Sequence, residues 1–343
     1  MKYFLKTFLF ICLLFISLEF LSKVFRPVWN TDDILAGYKS EERNSIDVLF
    51  VGDSDIYNGI SPMEIYEKYG ITSYDYASSA ASNLLMYYMM LEALKTQTPK
   101  VVVMDETSIF GYKEGETNTH RAMDLMPLDD VKLSLINDSG YNFDIGNRLT
   151  FLFPFFRYHD RWNKINLSDF IKDSEVINYY KGYTFSNTVK AAENDESYMD
   201  GLNEEVDFST SYLPESVIKA KEYCDEHGIE FLLISMPDTS AWSYGKYEKM
   251  TEWTKENNIN YLDFNMMLDE VGINFQTDTP DGGMHLNISG AIKLSNYLGK
   301  YLSENYVLKD HRHEYKYKSW DESLTHYIDE RNAYYAEIKN SKK

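Results

Sequence analysis

The chain has 343 residues, of which 54 are acidic and 34 are basic, so its formal net charge is −20. This acidic balance argues against a nucleic-acid partner, because contacts with nucleic-acid phosphates require positive charge. Hydrophobic residues make up 44% of the chain and aromatic residues 15%, which is enough for a large core and excludes intrinsic disorder.

An apolar run begins the chain. Between Lys6 and Lys23 it is broken only by Glu19, and with its flanks it approaches the roughly 20 residues that a spanning helix needs. No small-residue cleavage pattern follows Leu18, so an uncleaved signal anchor over residues 1–28 is favoured over a cleaved signal peptide. Lysines flank both ends of the run, but export of the acidic bulk predicts a single-pass protein of the cell membrane with an extracytoplasmic domain.

Short apolar runs alternate with helical patterns from residue 46 onward, which is typical of a parallel sheet covered by helices on both faces. The predicted strands are 47–51, 72–77, 101–105, 230–235 and 260–263. The predicted helices are 61–69, 83–95, 214–227, 244–256 and one that follows Ser289. Ser61, Pro62 and Glu64 predict a capping box at the first of these helices.

These elements predict one α/β domain over residues 29–308, a three-layer αβα sandwich with a five-stranded, mainly parallel sheet. Residues 107–212 interrupt the alternation with aromatic clusters such as FLFPFFRYHDRW. We interpret them as a helical or irregular cap over the carboxyl edge of the sheet, where open α/β folds bind ligands. Residues 309–343 space Trp320, Leu324 and Tyr327 at near-helical intervals and predict an amphipathic helical tail.

A serine follows the first predicted strand directly, in the segment Gly52-Asp53-Ser54-Asp55. The glycine permits a tight turn, and the end of a buried strand presents Ser54 to solvent at the edge of the sheet where ligands bind. The alternative is a turn serine that caps the next segment.

A histidine lies just before the last predicted helix, within the segment DTPDGGMHLN. His285 can remove the proton of a serine hydroxyl if a carboxylate fixes its tautomer. Asp281 is the main candidate for that carboxylate and Asp278 is the weaker one. Taken alone, His285 is a loop histidine, but opposite Ser54 it predicts a catalytic base.

These two motifs together resemble the SGNH (GDSL) hydrolase superfamily, and within it membrane-anchored proteins such as the D-alanyl transfer protein and the alginate-type O-acetylation proteins. The resemblance covers residues 46–305 outside the insertion. It implies that Ser54 is the nucleophile, His285 the base and Asp281 the orienting carboxylate. The sequence departs from the family in its four-residue Asp–His spacing and in the absence of the Gly-x-Asn-Asp block. The loss of that block favours acyl transfer or polymer modification over a secreted esterase, and both departures motivate a non-catalytic alternative.

Further candidate residues lie beside the nucleophile and on the cap. The oxyanion donors expected are backbone N–H groups of Ser54 and of the turn 77–79, with the Asn83 side chain as an alternative that also fits a helix start. The cap cluster would bind a carboxylate, a phosphate or a sugar, or would only form its own ion pairs. The candidates for oxyanion stabilisation or binding are Asp55, Ser79, Asn83, Arg157, His159 and Arg161.

The predicted function is an extracytoplasmic serine acyl-ester hydrolase or O-acyltransferase that acts on a cell-envelope or exported polysaccharide. Its expected partners are an acylated polysaccharide or acyl donor and, for transfer, an integral-membrane acyltransferase. No metal and no other cofactor is predicted, since Cys12 and Cys224 cannot form a zinc site by themselves and glycine-rich nucleotide-binding patterns are missing. The alternative is a non-catalytic SGNH-like scaffold in an envelope polysaccharide assembly.

Overall fold

The computed structural model describes residues 1–106, 108–111, 115–171, 176–193, 197–200, 208 and 213–341. Its five strands form one sheet in the order β2-β1-β3-β4-β5, and all neighbouring pairs are parallel. The strands are β1 (Val48–Gly52), β2 (Ser73–Ala77), β3 (Val101–Asp105), β4 (Glu230–Ser235) and β5 (Asn260–Asp263). In β1, all five residues are buried, as expected for a central strand that is covered on both faces.

Helices cover the sheet on both sides. In chain order they are α1 (Lys2–Phe25), α2 (Asp32–Ser40), α3 (Ser54–Gly59), α4 (Pro62–Tyr69), α5 (Asn83–Ala93), α6 (Glu116–Met123), α7 (Asp130–Asn137), α8 (Ile145–Leu152), α9 (Phe155–Tyr158), α10 (Leu213–His227), α11 (Tyr244–Glu256), α12 (Leu268–Val271), α13 (Ile288–Asn305) and α14 (Lys318–Ser341). Helix α4 packs against α13, and α5 packs against α10. The chain reverses direction across the sheet after β2, so right-handed crossovers place these two pairs on opposite faces. The predicted α/β fold class is confirmed.

The predicted capping box at α4 is wrong. Ser61 is the N-cap residue, but its side chain makes no capping hydrogen bond. Glu64 instead accepts a hydrogen bond from the Tyr327 hydroxyl at 2.9 Å and pairs with Arg331, both on α14. The C-terminal tail therefore packs on α4 as one long helix. The Glu64 carboxylate binds residues of this helix instead of completing the capping box.

Two described regions of the predicted cap pack against different parts of the molecule. Residues 184–192, here called the strap, run alongside the segment that contains His285: the Lys190 N–H donates to the Thr279 carbonyl at 2.9 Å, and the Gly282 N–H donates to the Lys190 carbonyl at 3.0 Å. Residues 145–171, here called the aromatic segment, pack on α1, where the Phe155 N–H donates to Ser22 Oγ at 3.2 Å. The expectation of a single cap over the sheet edge therefore fits the strap but not the aromatic segment.

Helix α1 is long and apolar enough to cross a membrane, and it is the one helix in the described part of the chain that meets this test. A signal sequence would meet the same test. Most of its side chains are exposed, while Ser22, Val24 and the following Arg26 are buried against the domain.

Candidate active site

Ser54 is the first residue of α3, immediately beyond the end of β1. The connection is tight, because a Cβ atom at Gly52 would lie 2.1 Å from Ile56 Cγ1. Asp53 caps α3, and its Oδ1 accepts a hydrogen bond from the Asp55 N–H at 2.8 Å. Strand, glycine and cap together fix the Ser54 hydroxyl at the carboxyl edge of the sheet.

The loop before α13 carries His285. Gly282 and Gly283 adopt left-handed backbone conformations, with φ of 97° and 104°. A Cβ atom at Gly283 would lie 2.1 Å from Thr239 Oγ1, and the Thr239 N–H donates to the Gly283 carbonyl at 2.9 Å. The loop that follows β4 therefore holds the histidine loop at the same sheet edge.

The structure brings Ser54, His285 and Asp281 together in one chain of hydrogen bonds. His285 Nε2 lies 2.9 Å from Ser54 Oγ, and His285 Nδ1 lies 2.5 Å from Asp281 Oδ2. These are the contacts that a serine nucleophile, its base and an orienting carboxylate require.

The four-residue spacing between Asp281 and His285 is accommodated by a compact turn. Asp281 Oδ1 accepts hydrogen bonds from the backbone N–H groups of Met284 and His285, at 3.2 and 3.1 Å, while Oδ2 contacts the imidazole. The other candidate, Asp278, is fully buried and contacts Lys293 at 2.5 Å. Asp281 is thus the carboxylate that faces the histidine.

Burial raises the pKa of Asp281, but the hydrogen bonds from the His285 side chain and backbone and the charge of the imidazole outweigh it. The pKa therefore lies below the ordinary value for aspartate. A carboxylate that stays ionised is suited to stabilise the imidazolium that forms when His285 accepts a proton.

A second group of carboxylates lies behind the nucleophile. Oxygen atoms of Asp53, Asp55 and Asp105 all lie within 4.8 Å of one another. Burial and the charge of Asp105 raise the pKa of Asp53 to about 8, and burial and the charge of Asp53 raise that of Asp55. Such a cluster shares protons or holds a hard cation.

This cluster is not among the sequence predictions, although Asp55 is a candidate site residue. Asp55 Oδ1 lies 3.7 Å from His285 Nε2, so the cluster borders the imidazole. The signal in the sequence is the position of acidic residues at the carboxyl ends of two strands, β1 and β3, which pair in the sheet.

The turn after β2 lies beside Ser54. The Ser78 N–H donates to the Gly52 carbonyl at 3.2 Å, and Ser79 Oγ lies 2.9 Å from the Tyr57 hydroxyl. Within the described residues, the backbone N–H groups of Ser54 and Ser79 make no hydrogen bond. They are the groups best suited to hold an oxyanion.

Asn83 has other partners than an oxyanion. Its side chain is fully buried, Nδ2 donates to the Asp105 carbonyl at 2.7 Å, and Oδ1 accepts from Ser108 Oγ at 2.8 Å. Asn83 is expected from the sequence as an oxyanion donor, and these contacts correct that expectation. Its amide group instead connects the start of α5 to the end of β3.

The cap cluster is also placed differently from the prediction. Arg157 pairs with Glu116, and His159 Nδ1 lies 3.0 Å from the Phe156 carbonyl. Arg161 donates to the Phe25 carbonyl at the end of α1. The described contacts of Arg157, His159 and Arg161 include none with Ser54 or His285, so these residues belong to the aromatic segment on α1.

No protein-family model and no curated protein matches the chain. Several solved structures are similar to it, including the following two. A candidate lipolytic protein of the G-D-S-L family from Desulfitobacterium hafniense DCB-2 has a TM-score of 0.37 and 11% identity, covering 74% of this chain and 97% of its own. A candidate acylhydrolase from Bacteroides fragilis NCTC 9343 has a TM-score of 0.38 and 9% identity, covering 81% of this chain and 99% of its own.

Both descriptions agree with the superfamily that the sequence resembles, while the membrane-anchored branch stays a prediction. At TM-scores below 0.5 neither likeness carries weight for the reaction, which has to be judged from the residues themselves. Those residues lie on a five-stranded parallel sheet, with a serine, a histidine and an aspartate in hydrogen-bond contact at its carboxyl edge.

Proposed function

We propose that the protein is an extracytoplasmic serine acyl-ester enzyme that removes or transfers an O-acyl group of a cell-envelope or exported polysaccharide. The observation that carries the proposal is the hydrogen-bond chain from Ser54 Oγ through the His285 ring to Asp281. A serine hydroxyl is a weak nucleophile, and an adjacent base in the correct tautomer is what makes it reactive.

In this mechanism Ser54 Oγ attacks the acyl carbon while His285 Nε2 takes the hydroxyl proton. Asp281 holds Nδ1 and balances the charge of the imidazolium. The backbone N–H groups of Ser54 and Ser79 would hold the oxyanion, an arrangement in which each donor contributes on the order of 3 kcal/mol to lowering the barrier. His285 then protonates the leaving alcohol, and a water or a sugar hydroxyl releases the acyl group from Ser54.

The proposed location is supported by α1. Removal of this helix would expose Phe155, whose ring centroid lies 5.1 Å from that of Phe25, so the contacts favour a retained anchor over a cleaved signal. An anchored enzyme on the outer side would meet envelope polymers directly. If it transfers acyl groups, the donor must cross the membrane, which calls for an integral-membrane acyltransferase as the partner.

Hydrolysis of 4-nitrophenyl acetate by the full-length protein in detergent tests the chemistry. Ser54→Ala is expected to reduce the rate to the background of protein-free buffer, while Ser303→Ala, an exposed serine on α13, should leave it unchanged. Equal rates for Ser54→Ala and wild type would reject Ser54 as the nucleophile.

The alternative, a non-catalytic scaffold, is favoured by one observation. Asn83, the side-chain amide expected at the oxyanion, instead donates to the Asp105 carbonyl. A strain with Ser54→Ala that keeps full polymer acylation, when deletion of the gene abolishes it, would select the scaffold.

A further inference from the structure

Outside α1, a group of exposed apolar side chains lies on the aromatic segment, which packs against α1. Trp162 and Leu167 are 72% and 86% exposed. The other large exposed apolar residues of the segment are Ile145, Leu149, Phe156, Phe170 and Ile171. Apolar side chains gathered in this way mark a surface that contacts a protein or a membrane.

The aromatic segment contacts the C-terminal half of α1, from Phe15 to Phe25. The ring centroids of Phe25 and Phe155 lie 5.1 Å apart, and those of Phe15 and Phe153 lie 5.6 Å apart. From Phe15 to Phe25 the helix rises about 15 Å, at 1.5 Å per residue. The segment therefore reaches well back along α1 from the end at which the domain begins.

A bilayer around α1 would enclose this contact. The apolar run ends at Lys23, which belongs at the level of the lipid headgroups. Phe15 lies about 12 Å deeper than Lys23, and half of the hydrocarbon core is about 15 Å thick. Phe153, in contact with Phe15, then lies within the hydrocarbon of the leaflet on the domain side.

The single charge within the apolar run does not oppose this placement. Glu19 lines a cavity of about 1050 Å³ between the end of α1 and the domain, and its Oε1 atom is buried. Lys132 lines the same cavity, where burial lowers the pKa of its ammonium group and the charges of Asp124 and Glu19 oppose that shift. The polar side of α1 thus faces the protein.

We propose that the aromatic segment is a second membrane element, which inserts into the leaflet on the domain side beside α1. Lipid is the occupant that the contacts favour, because the surface is continuous with a helix suited to cross the bilayer. Trp162 and the neighbouring Arg161 suit the interfacial level, where an indole and a guanidinium with an apolar stem meet both lipid and water. The inference rests on the anchoring part of the proposed function and not on its catalytic part.

Spin labels on the full-length protein in phospholipid nanodiscs would test the insertion. Cysteine is introduced at Leu167 in a Cys12→Ala, Cys224→Ala background, with Phe10→Cys on α1 as the lipid reference and Val307→Cys, 97% exposed, as the aqueous reference. Collision of each label with oxygen, which enters lipid, is compared with collision with a water-soluble nickel chelate. Ile171→Cys repeats the measurement at a second exposed position, and circular dichroism checks that each variant is folded.

The ratio of oxygen to nickel accessibility at Leu167 is expected to exceed that at Val307 several-fold and to stay at or below that at Phe10, which lies farther along α1 from Lys23. A ratio at Leu167 equal to that at Val307, with Phe10 in lipid, would overturn the insertion and leave the anchor in place. Protection of Leu167 from both reagents would indicate a covering protein surface and would also overturn it. Aqueous labels at all three positions would reject the anchor as well, whereas ester hydrolysis by the same samples would still report on Ser54 separately.

Discussion

Two groups of carboxylates border Ser54, and their surroundings hold them in opposite states. Asp281 receives hydrogen bonds from the side chain and backbone of His285, which outweigh burial and keep its pKa low. Asp53 and Asp55 are buried beside each other and beside Asp105, and their pKa values are raised. The same residue type thus has a lowered pKa on one side of the nucleophile, which favours the charged form, and a raised pKa on the other, which favours the protonated form.

The two groups also change stability with pH in opposite directions. The contribution of Asp281 is present above the ordinary pKa of aspartate and is lost as the pH falls through its lowered value in the folded protein. The contribution of Asp53 is fully present below the ordinary pKa and is lost as the pH rises to about 8. A fall in pH therefore reduces the stabilisation that Asp281 gives to the histidine loop. A rise in pH toward about 8 reduces the stabilisation that Asp53 gives to the carboxylate cluster.

The largest expected effect comes from Asp281→Asn. The substitution removes the charge that orients and stabilises the imidazolium of His285, so kcat for ester hydrolysis should fall by about 10³- to 10⁴-fold. Asp278→Asn is the matched control: it leaves Lys293 without its buried partner and should lower the melting temperature, while activity per folded molecule stays close to wild type. The reverse result, an active Asp281→Asn and an inactive Asp278→Asn, would assign the orienting carboxylate to Asp278.

An intermediate effect is expected from Asp53→Asn, measured as melting temperature against pH. The amide oxygen can still accept the hydrogen bond from the Asp55 N–H, but one ionising group leaves the cluster. Wild type should lose stability as the pH rises from about 4 to about 8, and the variant should lose less over the same range, by about 2 °C or more. Asp225→Asn, at an exposed position on α10, should leave the wild-type curve unchanged. Parallel curves for wild type and Asp53→Asn would show that Asp53 is ionised throughout.

The smallest effect is expected from Tyr57→Phe. It removes the contact between the tyrosine hydroxyl and Ser79 Oγ, a hydrogen bond that contributes about 1 kcal/mol, so ester hydrolysis should slow by about three- to tenfold if Ser79 holds the oxyanion. Tyr315→Phe, at an exposed position, serves as the control. An unchanged rate in Tyr57→Phe would remove the Ser79 turn from the oxyanion site.

The strands, and the proximity of Ser54 to His285, could be predicted from the sequence for a physical reason. Strands buried on both faces are uninterrupted apolar runs, and the order of elements in a parallel sheet brings their carboxyl ends to one edge. A serine after β1 and a histidine before α13 could therefore be expected at the same edge, and they lie 2.9 Å apart.

The contacts that sequence could not predict are those between distant segments. Glu64 has the spacing of a capping box, yet Tyr327 and Arg331 on α14 take its carboxylate. Asn83 begins a helix, but its amide is used by the Asp105 carbonyl. The aromatic segment is apolar enough to cover a cleft, but its contacts with Phe15 and Phe25 show that it packs on α1 instead.

The most direct test of a serine nucleophile activated by His285 is covalent labelling of the full-length protein by a serine-directed phosphonate, located by peptide mass spectrometry. Wild type should carry the label on Ser54, and His285→Ala should label far more slowly, because the base that lies 2.9 Å from Oγ is gone. No label on Ser54 in wild type, or equally rapid labelling after His285→Ala, would contradict the proposed mechanism.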